Sequence, residues 1–151
     1  MSLIAAACAG FLVAVLWMDL IFDSQVLRHR GADELPESVL ASVSAYYRRA
    51  TTTSRPMSYL VALVMAILLG SLIVRFATGD DPLWLIAVSV VLAGLPIALA
   101  TGRTFPTAVR LGARTDDAVG QSRLARSVCV DHLLCLACML GFLAVWLTLG
   151  A

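Results

Sequence analysis

The residues best suited to chemistry in this sequence are three aspartates and a histidine at the ends of apolar segments. Asp19 and Asp23 are four residues apart, which places both carboxylates on one face of a helix. Asp131 and His132 lie about one turn inside a later apolar segment. Because imidazole exchanges protons near neutral pH when a carboxylate orients it, we predict acid–base catalysis by His132. Asp19 and Asp131 are the other two candidate catalytic residues.

The candidates for binding a ligand beside this histidine are polar residues expected on the same side of the membrane. They are Asp23, Tyr47, Arg48, Arg49 and Arg110. A carboxylate costs roughly 2.5–3.5 kcal/mol at the centre of a membrane helix and less toward the ends, so it usually faces a partner or water. The alternative is that the aspartates pair with these arginines and only fasten one end of the bundle. Asp19 lies nearly a turn deeper than Asp23, and we expect it to be the less hydrated and more important of the two.

Carboxylates and imidazole are also ligands that hold iron, manganese or zinc. A site with two imidazole ligands needs a second histidine, and the only other one, His29, lies between two arginines. We therefore predict no metal site, and the sequence leaves any cofactor unknown.

Four apolar segments must position these residues. The chain has 151 residues, of which 60% are apolar and only 14% charged, against roughly 45–50% and about 25% in soluble domains. A helix of about 20 residues crosses a hydrocarbon core of about 30 Å. The sequence therefore predicts an all-α, polytopic integral membrane four-helix bundle that occupies residues 1–151 as a single domain. Its spans are predicted at residues 3–22, 57–76, 83–101 and 127–149.

The arginines predict how the spans are oriented. All 11 basic residues are arginines, and ten of them lie in the first and third connections between spans. The positive-inside rule places these two connections in the cytoplasm, so both termini are expected outside it. We predict a multi-pass protein of a bacterial-type inner (plasma) membrane, surrounded by the lipid bilayer. A net charge of +1 leaves no basic surplus for binding nucleic acid.

The two arginine-rich connections differ in their patterns. Apolar residues recur at helical spacing from Pro36 to Arg49, which predicts an amphipathic helix against the inner membrane face. The third connection, predicted at residues 102–126, is polar. A bend is expected in it at residues 104–107, followed by a short helix at residues 108–111.

The four cysteines all fall in apolar stretches. Cys135 and Cys138 have the spacing of a redox pair, but they lie one turn apart inside a span, where the helix keeps such a pair from closing easily. We predict that they are small buried apolar side chains.

Three short motifs occur once each along the chain, in a recognisable order. They are Gly10 in the first span, the segment Phe105-Pro106-Thr107-Ala108-Val109-Arg110-Leu111 after the third, and the stretch from Arg126 to His132 that opens the fourth. With them the layout resembles the anthrone-oxygenase-like family of small four-helix membrane proteins. The resemblance implies that the chain handles a small hydrophobic or aromatic molecule at the membrane. It also implies an oxygenase-like reaction without an obvious cofactor motif.

Three classes of function fit this layout. The first is an enzyme or binding protein for a lipophilic small molecule, with its site at the inner leaflet. The second is a non-catalytic accessory or structural subunit of a membrane complex, and small residues at four-residue spacing also favour close association of helices or of copies in a homo-oligomer. A small transporter ranks third, because transporters bind near the bilayer midplane. Here the middle and outer thirds of the spans contain no ionisable side chain apart from Arg75.

Overall fold

The computed structural model describes residues 2–79 and 81–149, and within them the chain is helical with no β-strand. Its α-helices are α1 (Ser2–Asp23), α2 (Glu37–Thr52), α3 (Arg55–Thr78), α4 (Leu83–Leu99), α5 (Phe105–Ala113) and α6 (Ala118–Leu149). A 3-10 helix, Ser24–His29, continues α1, and a π-helical segment, Ala100–Thr104, joins α4 to α5. The predicted all-α fold is confirmed.

Four of these helical stretches are long and apolar enough to cross a membrane. They are Leu3–His29, Pro56–Thr78, Leu83–Ala113 and Ala118–Leu149. Around the bundle α1 packs against α3 and α6, and α4 packs against the same two helices. Consecutive spans are therefore neighbours, as in an up-down-up-down four-helix bundle. These features fit a small multi-pass integral membrane protein in a lipid bilayer.

One end of the bundle carries an extra layer of helices. α6 has 32 residues, or about 48 Å, which exceeds a hydrocarbon core of about 30 Å. Its first turns pack with α2, α5 and the 3-10 helix around a separate apolar core that includes Leu40, Val43 and Leu111. We call this part of the chain, residues 24–54 and 105–126, the polar layer.

The predicted amphipathic helix is present as α2, but its apolar face is not applied to a membrane surface. Val39, Leu40 and Val43 on that face are buried, and α2 packs mainly on α5. The contact is close because α5 has a glycine where the helices meet. A Cβ added at Gly112 would lie 2.7 Å from the backbone nitrogen of Arg48.

The third connection is mostly helix: α5 contains the short helix predicted at residues 108–111, and the bend predicted at residues 104–107 is helical instead. The π-helical segment carries α4 directly into α5, and Pro106, which has no backbone N–H, follows this segment by two residues. α5 ends at Arg114, whose φ of 52° is left-handed. Only residues 114–117 then separate α5 from α6.

The opposite end of the bundle is closed by a compact set of contacts, which we call the arginine clamp. Arg75 forms a bidentate ion pair with Asp81 and lies 4.5 Å from the ring centroid of Trp146. The indole N–H of Trp146 donates to the hydroxyl of Ser89 at 2.9 Å. Gly79, at φ 69°, ends α3 and turns the chain toward Asp81.

Candidate functional site

Five polar side chains meet where the bundle joins the polar layer. α1 supplies Asp19 and Asp23 from its last two turns, α2 supplies Tyr46 and Tyr47, and α6 supplies His132. We call this set the imidazole cluster. Its members lie on three helices, so it forms only when α2 and α6 have both packed against the end of α1.

Asp23 is the most enclosed member of the cluster. It is fully buried, and its Oδ2 lies 2.6 Å from Nδ1 of His132. Its Oδ1 accepts a hydrogen bond of 2.7 Å from the hydroxyl of Tyr47. A carboxylate accepts hydrogen bonds, so we assign the imidazole proton to Nδ1. In neutral imidazole this leaves Nε2 as the basic nitrogen.

Asp19 lies on the other side of the imidazole ring. Its Oδ2 is 3.9 Å from Nε2 of His132, too far for a hydrogen bond, and its Oδ1 accepts one from the hydroxyl of Tyr46. The Asp19 side chain is 19% exposed, whereas that of Asp23 is 0% exposed. Asp19 is therefore the more exposed of the two side chains, the reverse of the order expected from its depth along α1. Depth along α1 does not decide burial here, because α2 and α6 cover Asp23.

The two tyrosines act as hydrogen-bond donors to the two carboxylates. Burial, and then the neighbouring carboxylates, raise the pKa of Tyr46 and of Tyr47 well above the usual value of a phenol. Both phenols therefore stay protonated at physiological pH. The ring of Tyr46 also stacks on Phe22, with their centroids 4.2 Å apart, which holds its hydroxyl in place.

A cavity of about 120 Å³ lies inside the bundle beside the cluster. Asp19, His132 and Thr104 are the polar residues in its lining, and its other walls are apolar, including Leu12, Met65, Pro96 and Met139. For comparison, an apolar cavity of about 150 Å³ holds a benzene molecule. His132, which carries the basic Nε2, and Asp19, whose carboxylate lies 3.9 Å from that nitrogen, thus both line an apolar cavity.

Asp131 does not join its neighbour His132 in the cluster. It is fully buried, and its carboxylate forms a bidentate ion pair with Arg103 and accepts a hydrogen bond of 3.1 Å from Thr104. Both partners lie in the π-helical segment after α4. The structure thus places this predicted catalytic residue in a contact between the π-helical segment and α6.

The arginines predicted to bind a ligand lie in the polar layer, and their side chains are not among the contacts of the imidazole cluster. Arg48 and Arg49 are exposed on α2, and Arg110 pairs with Asp116 at 2.5 Å. Of the five predicted ligand-binding residues, the structure brings only Asp23 and Tyr47 to His132.

Sequence reasoning did not single out Tyr46, Thr104 or Arg103 as site residues. Tyr46 carried a usable signal, because it is adjacent to Tyr47, which was itself a predicted site residue. Thr104 and Arg103 carried none, since they were assigned to a loop.

The cysteines and carboxylates of the described chain do not form an evident metal site. No group of three or more histidine, cysteine, aspartate or glutamate side chains placed to hold a metal ion occurs within residues 2–79 and 81–149. Cys135 and Cys138 are unpaired and buried, at 4% and 8% exposure, which confirms their predicted burial.

Comparison of the chain with protein-family models, with curated proteins and with solved structures finds no match. The proposals for its function therefore depend on the residues and distances within the chain itself. The imidazole cluster and the adjoining cavity are the features that carry them.

Proposed function

We propose that this protein binds an uncharged lipophilic small molecule in the bundle cavity and that His132 exchanges a proton with it. The observation that carries the proposal is the 2.6 Å contact between Nδ1 of His132 and the buried carboxylate of Asp23. It fixes the imidazole ring and leaves Nε2 as the proton acceptor, while His132 and Asp19 both line the apolar cavity. A carboxylate that orients a histidine base is a recurring arrangement in enzymes.

The proposed chemical step is a single proton transfer. Nε2 takes a proton from an acidic C–H or O–H group of the bound molecule, which becomes an anion, and His132 becomes an imidazolium. That cation then lies between the carboxylates of Asp19 and Asp23, which stabilise it strongly because the surroundings are apolar. General acid–base help of this kind contributes about 10²–10⁴-fold to a rate.

We propose an oxygenase-like reaction as the continuation of this step, on the strength of the resemblance to the anthrone-oxygenase-like family. The ligand anion is oxidised by molecular oxygen, which forms a C–O bond with it and becomes a bound peroxide anion. The imidazolium of His132 returns its proton to that peroxide, so the ligand and one molecule of oxygen give a hydroperoxide and the neutral histidine is restored. Within this scheme Asp23 and Tyr47 position the imidazole, and Asp19 with Tyr46 stabilises its protonated form.

The tautomer of His132 gives a direct test of the positioning. The chain has only two histidines, so a His29→Gln variant labelled with ¹⁵N-histidine gives the NMR signals of one imidazole. We expect a protonated Nδ1 and a bare Nε2 in the neutral ring. Replacement of Asp23 by Asn should abolish this preference, and a neutral ring protonated at Nε2 in the Asp23-containing protein would contradict the proposal.

The cavity is tested by what the purified protein carries out of the membrane. Ala93 on α4 lines the cavity and is 1% exposed, whereas Ala87 on the same helix is exposed. Organic extracts analysed by mass spectrometry should contain a lipophilic compound in the wild-type protein and in Ala87→Leu, but not in Ala93→Leu. In His132→Asn the compound should remain in its unreacted form. Identical extracts from the two alanine variants would favour an accessory subunit, in which the cluster only fastens the bundle.

We also propose that the polar layer faces the cytoplasm of a bacterial-type inner membrane and that both termini lie outside it. The support is the arginine distribution. In a cysteine-free background, Thr78→Cys should react with an impermeant thiol reagent in intact cells, and Ala113→Cys should react only after lysis. Both positions are exposed in the structure. The reverse pattern would invert the proposed orientation.

A further inference from the structure

A second concave region lies in the polar layer, between α2 and α5. It is a groove of about 540 Å³ that shares no lining residue with the bundle cavity. Half of its lining residues are small or apolar, namely Ala41, Ala45, Val109, Gly112 and Ala113, and the other half are polar. The small and apolar residues can contact aliphatic groups, and the polar residues can contact a polar or anionic group.

The groove carries one positive charge that no acidic side chain balances. Arg48 lines it and has no ion pair within the part of the chain that the structure describes. Arg114 also lines the groove, but both of its terminal nitrogens donate to the carboxylate of Glu37 at 2.8 Å. The local charge therefore suits one monoanionic group.

A buried hydroxyl adds a hydrogen-bond donor to the same groove. Ser44 is 2% exposed and lines the groove, and its Oγ has no hydrogen-bond partner among the described residues. A buried polar group without a partner is uncommon in native structures, and a water molecule or ion that binds to it is one of the ordinary explanations. Ser44 and Arg48 are four residues apart, so both lie on one face of α2.

The groove reaches toward the membrane boundary. Thr51 and Thr52 line one end of it at the last turn of α2. The apolar span of α3 begins at Pro56, four residues further along. This places the end of the groove at the depth of lipid headgroups, where arginines attract anionic phospholipids.

We propose that the α2–α5 groove binds the phosphodiester headgroup of an anionic phospholipid. Arg48 donates to the phosphate oxygens, the hydroxyl of Ser44 donates to the same group, and the small residues of the groove contact the glycerol and the start of an acyl chain. This inference is independent of the function proposed for His132.

The test compares two adjacent arginines. Arg48 and Arg49 are both exposed on α2, but only Arg48 lines the groove. Native mass spectrometry of the detergent-solubilised full chain, titrated with phosphatidylglycerol and with phosphatidylcholine, counts the lipids bound. We expect Arg48→Gln to raise the dissociation constant of the first phosphatidylglycerol about tenfold, which corresponds to the loss of one charge-assisted hydrogen bond. Arg49→Gln and the phosphatidylcholine titrations should show no comparable change.

Further arms separate the possible sources of the anion. Ala45→Phe, which fills the groove and leaves Arg48 in place, should reduce the same binding event. An equal effect of Arg48→Gln and Arg49→Gln would overturn the proposal, because it would indicate diffuse attraction rather than a site. Displacement of the first lipid by millimolar inorganic phosphate would overturn the phospholipid as occupant and assign the groove to a soluble phosphate. A circular dichroism spectrum like that of the wild type confirms that each variant is folded.

Discussion

The two ends of the bundle both bury polar side chains, and they do so in different ways. In the arginine clamp, Arg75 and Asp81 are six residues apart and face each other across one turn of the chain. In the imidazole cluster, His132 contacts an aspartate 109 residues away, and a tyrosine from a third helix completes the contact. The ion pair of the clamp is therefore local, although Trp146 and Ser89 add contacts from α6 and α4. The histidine–aspartate contact of the cluster itself joins two distant helices.

The ends also differ in whether their polar groups remain available to bind or exchange a proton. The hydrogen bond from Arg75 holds the pKa of Asp81 below its usual range, so this pair stays ionised at neutral pH. The imidazole of His132 instead has one nitrogen engaged by Asp23 and the other 3.9 Å from the nearest carboxylate, in the lining of a cavity. A permanently ionised pair suits fastening, and a titratable ring at a cavity suits proton exchange.

The largest effect is expected when Asp23 is removed from the cluster. Asp23→Ala leaves His132 and the Tyr47 hydroxyl without their acceptor in a fully buried position. Breaking a buried pair from one side costs roughly 3–5 kcal/mol. Chemical unfolding in detergent micelles measures the free energy of unfolding, and Asp19→Ala is the matched control. Equal losses in the two variants would remove the distinction drawn between the two aspartates.

A smaller effect is expected from the tyrosine hydroxyls. Tyr47→Phe deprives the buried Asp23 of a donor, and a buried acceptor left unpaired costs about 1–3 kcal/mol. Tyr46→Phe should cost less, because the Asp19 side chain is 19% exposed and can be solvated. The same unfolding measurement decides the order. A greater loss for Tyr46→Phe would show that the Asp19 side of the ring is the more tightly constrained.

At the arginine clamp, a substitution should change stability alone. Trp146→Phe removes the hydrogen bond to Ser89 and keeps an aromatic ring near Arg75, so the expected loss is about 0.5–1.5 kcal/mol. Its organic extract should match that of the wild-type protein. If this variant alters the extracted compound, the two ends are coupled and the contrast between fastening and chemistry fails.

The smallest effect is expected in the polar layer, at the exposed pair of Glu37 and Arg114. The hydrogen bond from Arg114 lowers the pKa of Glu37. Because the folded-state pKa lies below the unfolded value of about 4.3, the pair stabilises the fold above that pH. This contribution is lost as the pH falls through the folded-state pKa. Melting curves between pH 7 and pH 3 should show a slightly weaker acid dependence for Glu37→Gln than for the wild type, and an unchanged dependence would show that the pair contributes nothing.

The positions of the membrane spans could be predicted from the sequence, whereas the composition of the imidazole cluster could be predicted only in part. Apolar runs mark a membrane helix directly, so the predicted span at residues 57–76 lies within the observed helix Arg55–Thr78. In the third connection, α5 confirms the short helix predicted at residues 108–111. The bend predicted at residues 104–107 was wrong, because the polar residues and Pro106 resemble a loop in the sequence, while the π-helical segment lets the helix continue.

The composition of the cluster depended on helix rotation, which one sequence does not reveal. His132 and Asp19 were expected at the same end of the bundle, and the structure places them 3.9 Å apart. Successive side chains of an α-helix point about 100° apart. Whether Asp131 or His132 faces α1 therefore depends on the rotation of α6 about its axis. The burial of Asp23 depended on where α2 packs, which its periodicity does not specify.

Asp131 and His132 together have a consequence for the motion of α6. One of these adjacent side chains is bound to the segment after α4, and the other is bound to α1. Rotation of α6 about its long axis would separate one of these side chains from its partner. The two contacts therefore fix the rotational orientation of the helix. Trp146 lies almost four turns further along the same helix, where its indole reaches Ser89 on α4. One residue inserted between positions 132 and 146 would swing Trp146 by about 100° and leave His132 in place. The number of residues between positions 132 and 146 of α6 therefore sets the directions of His132 and Trp146 relative to each other, and so aligns the contacts at the two ends of the molecule.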